Sequence, residues 1–110
     1  MTGKHGNAEI QAFYRDVNER IAGISRQMDA TAALEILCEC GTAGCTERVE
    51  IAADAYDAVR GEPTHFALLA GHENHAVEDV VREGDGYLVV ANYGRAATVA
   101  RRTDPRSSSR

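Results

Sequence analysis

The segment Cys38-Glu39-Cys40-Gly41-Thr42-Ala43-Gly44-Cys45 holds every cysteine of the chain within eight consecutive residues. An odd number of thiols in one short loop makes a poor disulfide framework and suits a reducing compartment, so a bound metal is the first expectation. On an extended strand, residues i and i+2 point to one face, which lets Cys38 and Cys40 present their sulfurs together. Gly41 and Gly44 permit the positive φ of a tight knuckle that returns Cys45 to the same point. Three sulfurs select zinc among the common cellular metals and leave a tetrahedron one ligand short. The polar loop Gly71-His72-Glu73-Asn74-His75 supplies the expected fourth ligand, His72, with His75 as runner-up, His65 third and His5 the least suited. A site of three thiolates and one neutral imidazole around Zn2+ carries a net charge of −1, which Arg48 is placed to offset, and it is structural because no position is left open for water. The spacing departs from the usual gap of about two to four residues between paired ligands, so ordinary strand and loop thiols are the competing reading.

A chain of 110 residues with no Trp, two Phe and four Tyr builds its core from aliphatic side chains, and a metal crosslink would help a core of that size. The longest apolar runs, Phe66 to Ala70 and Leu88 to Ala91, fall far short of the roughly 20 residues of a membrane span. The N-terminal residues carry one Lys and no apolar stretch after it, unlike a secretory signal, so the cytoplasm is the expected compartment. Charge is uneven. Residues 1–29 carry four basic and four acidic side chains, 30–94 carry three and twelve, and 95–110 carry five and one. An acidic body makes nucleic acid an unlikely partner, because phosphate contacts need clustered Lys and Arg on a folded face. The Arg-rich C-terminus keeps a nucleic-acid-associated regulator as an alternative.

Asn7 is placed to cap a helix in which Ile10, Tyr14, Val17, Ile21, Ile24 and Met28 alternate four and three apart, with Phe13 widening the stripe. That stripe either docks on the protein's own sheet or pairs with the same helix of a second copy. Residues 33–39 and 47–51 read as strands flanking the cysteine turn, and residues 64–70 and 87–93 as two more. Asp54 is expected to cap a short helix over 55–60, ended by Gly61 and Pro63. Residues 76–83 fit helix or strand, the valines favouring strand, and 95–102 fit a helix. The expected fold is a single α+β domain over 8–103: an N-terminal amphipathic helix, a small mainly antiparallel sheet with the cysteine hairpin, and short covering helices. Residues 1–7 are expected to be flexible and 104–110 to form a disordered basic tail.

No Gly-rich phosphate loop, Gly-x-Ser-x-Gly elbow, His-Glu-x-x-His helix or zinc-deaminase pattern occurs, which points away from an enzyme. The pairs Glu47/Glu50 and Glu78/Asp79 read as solvated faces. Leu37-Cys38-Glu39-Cys40 with Cys45, followed by Tyr56-Asp57-Ala58-Val59-Arg60, Phe66, Gly71-His72-Glu73 and Tyr87-Leu88-Val89-Val90, resembles a family of short actinobacterial proteins of unassigned function. The resemblance spans about residues 10–104 and implies that the cysteine loop and the Gly-His-Glu turn form one unit, which favours His72 over His75. It brings no reaction or partner. The function expected is that of a small non-catalytic zinc-binding protein acting through an unknown protein partner, as a homodimer through the N-terminal helix in one version. A thiol/zinc redox sensor is the second alternative.

Overall fold

The computed structural model describes residues 3–29 and 33–106 of the chain, and the side chains of these from residue 8 onward. The elements run α1 (Gly3–Met28), β1 (Ala33–Leu37), β2 (Arg48–Ala52), α2 (Ala53–Arg60), β3 (His65–Leu69), β4 (Glu78–Glu83), β5 (Tyr87–Asn92) and α3 (Gly94–Arg102). The fold is α+β, with the strands divided between two small antiparallel sheets: the hairpin β1-β2, and a three-stranded sheet in the order β3-β5-β4.

Alternation decides the hairpin. Leu34 faces Ile51 and Ile36 faces Val49 across it on the buried side, while Glu35 and Glu50 meet on the wet side. β5 lies between two partners, and Leu88, Val89 and Val90 are all buried, as a central strand covered on both faces requires. Residues 76–83 are ambiguous in sequence because β4 is an edge strand: Glu78 is buried, whereas Val80 and Val81 stand in solvent at a register shift between Val80 and Arg82. The bulge and its charged neighbours protect that edge from further pairing. α2 packs on β2 and β3, and α3 on β5, closing one core around Ile36, Tyr56, Val59, Phe66, Leu68 and Val89. Asp54 lies within the first turn of α2 rather than capping it: the cap is Ala52, with no side-chain hydrogen bond.

α1 docks by an unexpected face. Its buried line is Ala8, Gln11, Arg15, Asn18 and Ala22, also spaced three and four apart, and its middle is polar. The apolar stripe from Ile10 to Met28 lies about a quarter turn away, half-buried or exposed. Most of the polar line finds partners elsewhere in the chain, Arg15 Nε having none among the described residues. Asn18 Nδ2 donates to Leu37 O and its Oδ1 accepts from Leu37 N, so the amide pairs with the end of β1 as another strand would. Gln11 Nε2 donates to Glu39 O and to Glu78, and its Oε1 accepts from Asn92 Nδ2. Arg15, wholly buried with its guanidinium 4.9 Å from the Phe66 ring centre, donates to Pro63 O, Ala100 O and Thr103 Oγ1.

Three further expectations are corrected. α1 begins ahead of Asn7, at Gly3, where only the backbone is described. Asp104 to Arg106, assigned to the disordered tail by their composition, are held in the fold: Asp104 is buried against Arg60, and Arg106 donates to both Glu19 and Asp57. Residues 107–110 of that tail, and Met1 and Thr2 of the expected flexible N-terminus, lie outside the described residues. Glu78 is not part of a solvated face but a buried carboxylate that accepts from Asn74 N and Gln11 Nε2. Among the described residues no helix is long and apolar enough to cross a membrane.

The buried Glu78 and the partly buried Glu19 give stability opposite pH dependences. Burial raises the Glu78 carboxyl above its ordinary value of 4.5, opposed in part by the Asn74 and Gln11 donors. The folded state therefore holds that proton more tightly, and the stability gained is full below 4.5 and lost as pH rises through the folded value. Burial alone would also raise Glu19, but Arg106 and then Arg60 outweigh it and hold it low, so its contribution is present above 4.5 and lost as pH falls through its folded value. The expected outcome, read by urea unfolding from about pH 7 to about pH 5, is that Glu78→Gln gains less stability on acidification than the parent. Parallel pH profiles would remove Glu78 from this account.

Candidate metal centre

The cysteine loop grows directly from the hairpin. Cys38 N–H donates to Glu47 O at 2.9 Å, extending the β1–β2 pairing by one step beyond Leu37. The chain then changes partner, because Glu39 N–H donates to Ala67 O at 3.0 Å on β3. The same residue closes the contact from its other end, its Oε1 accepting from Ala67 N at 2.9 Å. With Ala67 held twice by one residue, β3 is fixed against the loop. Two residues further along, Leu69 N–H points at Cys38 Sγ at 3.3 Å. Gly71, at φ 95°, then turns the chain, and His72 N–H closes the turn on Leu69 O at 3.0 Å. On the loop side, Gly41 at φ 76° and Gly44 at φ 83° make the knuckle, with Cys45 N–H donating to Thr42 O. A side chain at any of these three glycine positions would be forced into the left-handed region.

The result is a convergence of four ligand atoms. Cys38, Cys40, Cys45 and His72 offer three sulfurs and one ring nitrogen, all within 4.8 Å of one another, a group able to hold a metal ion. His72 Nδ1 lies 3.6 Å from Cys38 Sγ and 3.8 Å from Cys45 Sγ. Cys38 and Cys40 are buried, and Cys45 and His72 are partly covered. Burial pushes the Cys38 thiol well up, against the Leu69 N–H that donates to it. Burial would also raise Cys40, but hydrogen bonds with the Thr42 side chain, His72 and the Thr42 backbone outweigh it and bring it down to about 7. Cys45 is raised, by burial first.

The competing histidines lie elsewhere. His75 has a side chain 70% exposed, 3.8 Å from Glu73, and lies outside the ligand group. Glu73 accepts from Gly71 N at 2.8 Å and so braces the turn that carries His72. His65, on β3, is half-buried, its pKa lowered by that burial, and is likewise outside the group. The His5 side chain lies outside the described residues. Arg48 does not offset the charge of the thiols: it reaches Glu35 across the wet face of the hairpin at 3.6 Å. Donors turned toward the sulfurs include Leu69 N–H at Cys38, Thr42 at Cys40 and the Glu47 backbone at Cys45.

Sequence reasoning missed the support beneath the ligands. Glu39, between two cysteines, is wholly buried, and its Oε2 accepts from Asn18 Nδ2 at 2.8 Å and from Tyr56 OH at 2.9 Å. Burial raises its carboxyl, opposed by Asn18, Ala67 and Tyr56. Glu39→Ala would leave the buried Ala67 N–H, Tyr56 OH and Asn18 amide short of an acceptor. The expected cost is about 3–5 kcal/mol of unfolding free energy, measured in urea at a fixed metal concentration. A change within about 0.5 kcal/mol, the range of an ordinary surface substitution, would refute this role. No protein-family model, curated protein or solved structure matches this chain, so the reading of the site rests on its own geometry and chemistry.

Proposed function

We propose that Cys38, Cys40, Cys45 and His72 bind Zn2+ as a structural ion, and that the protein is a non-catalytic zinc-stabilised module. The observation that carries this reading is the spacing of the ligand atoms. A tetrahedron with Zn–S near 2.3 Å and Zn–N near 2.0–2.1 Å has sulfur-to-nitrogen edges of about 3.6 Å. The two contacts of His72 Nδ1, at 3.6 and 3.8 Å, have that length. Three thiolates and an imidazole fill all four positions, so a substrate or a nucleophilic water has no place to bind, and the ion ties the cysteine loop to the turn after β3. The burial of Cys38 and Cys40 supports a structural role over a thiol sensor, whose sulfurs must meet an oxidant. The use of Arg106 in pairing with Glu19 and Asp57 favours a fastening role for the basic C-terminus over nucleic-acid contact. The resemblance to short actinobacterial proteins stands as part of the same proposal.

Elemental analysis of purified protein is expected to give one zinc per chain, and one iron in its place would overturn the assignment. Removing the ion with a chelator is expected to lower stability by about 3–5 kcal/mol, a fall in Tm of about 15 °C or more for a domain of this size. His72→Ala is expected to weaken zinc binding by more than the 10–100-fold typical of losing a merely supporting residue, while His75→Ala leaves it unchanged. A melting profile indifferent to chelation, or equal effects of the two histidine changes, contradicts the reading.

A further inference from the structure

α1 carries two stripes, and the fold fully buries residues of only one: of the other, Ile21 packs against the core, Ile10, Tyr14 and Val17 are half-buried, and Ile24 and Met28 are exposed. The polar line Gln11, Arg15 and Asn18 docks the helix, yet the apolar residues beside it keep a strict four-three spacing over six positions. Docking explains them only in part: Phe13 beside the stripe is 64% exposed, Ile24 60% and Met28 83%, and Ile21, Ile24 and Met28 line a shallow apolar groove along the helix. A repeat of 3.5 residues is the period that a second helix reads, because it keeps one seam in contact over several turns.

We propose that this face of α1 is the interface for a second copy of the chain, packed antiparallel about a twofold axis level with residue 19. Three features of the helix select this occupant. First, antiparallel pairing at that axis matches every apolar position with another: Ile10 meets Met28 of the second copy, Tyr14 meets Ile24, and Val17 meets Ile21, each pair occurring twice over about 27 Å of helix. Parallel pairing would set Tyr14 against its own copy. Second, the flank carries charge of both signs. Asp16 and Arg20, whose side chains are 50% and 79% exposed, stand three residues before and one residue after the axis, so antiparallel packing brings each Arg20 level with both the Arg20 and the Asp16 of the other copy, and the acids offset the meeting of the two bases. Third, residues 1–29 carry four charges of each sign, while residues 30–94 carry twelve acidic and three basic side chains. Two copies of an acidic chain repel least where the segment that meets is neutral. The interface is isologous, so it closes as a dimer and leaves no open apolar end.

The test uses the full chain with its metal. Sedimentation or light scattering across the micromolar to millimolar range is expected to show twice the 11.9 kDa chain mass. Ile24→Glu and Phe13→Glu, both at exposed positions, are expected to return the chain mass with an unchanged far-UV spectrum. A photo-crosslinking benzophenone amino acid in place of Met28 is expected to capture the segment around Ile10 of the other copy. The single-chain mass at every concentration, a dimer that persists in both variants, or capture of the segment around Met28 would each overturn the proposal. Metal content is read on the same samples. A metal-free dimer would therefore sink the zinc reading and leave this one standing, and a zinc-loaded monomer would do the reverse.

Discussion

The carboxylate of Glu39 is the point on which the helix, the hairpin and the three-stranded sheet converge. One oxygen holds the β3 backbone at Ala67, and the other takes Asn18 from α1 and Tyr56 from α2. Burying a carboxylate is costly unless its lone pairs are occupied, so this group is stabilising only while all three partners are in place. That condition fixes the register of β3 against the cysteine loop, and with it the distance from Cys38 to His72. The Cys/His cluster is thus built next to the same residue that closes the core.

The polar seam extends well beyond Glu39. Gln11 ties the Glu39 carbonyl to Glu78 and Asn92, and Arg15 ties the helix to Pro63 and the end of α3. Arg60, also wholly buried, pairs with Glu19 and Asp104. Such groups contribute little net stability compared with an apolar core of the same volume, because desolvation offsets most of their attraction. What they contribute is a definite arrangement, since a helix seated by apolar contact alone can slide by a turn, whereas Asn18 meets both backbone groups of Leu37 at only one setting.

This division of labour gives the metal centre its place in the energetics. The hairpin β1-β2 and the sheet β3-β5-β4 share no strand, and the loop from Cys38 to Cys45 and the turn at His72 belong to different sheets. An ion held by both would join them at the end where Glu39 joins them from beneath. With a core made of aliphatic residues and few aromatics, a second tie of that kind would supplement the limited apolar surface that a domain of this size buries. The apolar stripe of α1 lies about a quarter turn from the docked line, and its exposed end at Ile24 and Met28 is not accounted for by these ties.

The sequence by itself determined most of the elements and singled out the four residues that the fold brings together. Alternation in Leu34 to Leu37 and Val49 to Ile51 specified the hairpin, and three cysteines with two glycines specified a knuckle. The turn after β3 identified His72 because it is local: a strand, a glycine at positive φ and an imidazole. Periodicity also found α1 but left open whether its apolar stripe docks or pairs with a second copy, and it did not see the line that docks, since Gln11, Arg15 and Asn18 are spaced as regularly as the apolar residues and hydropathy ranks them last. Only the tertiary structure decided which stripe docks, that Glu39 and Glu78 are interior, and that Asp104 and Arg106 close the fold. Each of those choices depends on backbone groups or charges 19 to 87 residues away in sequence. A polar side chain becomes a core residue only when such partners arrive to satisfy it, and nothing local in the sequence states that they will.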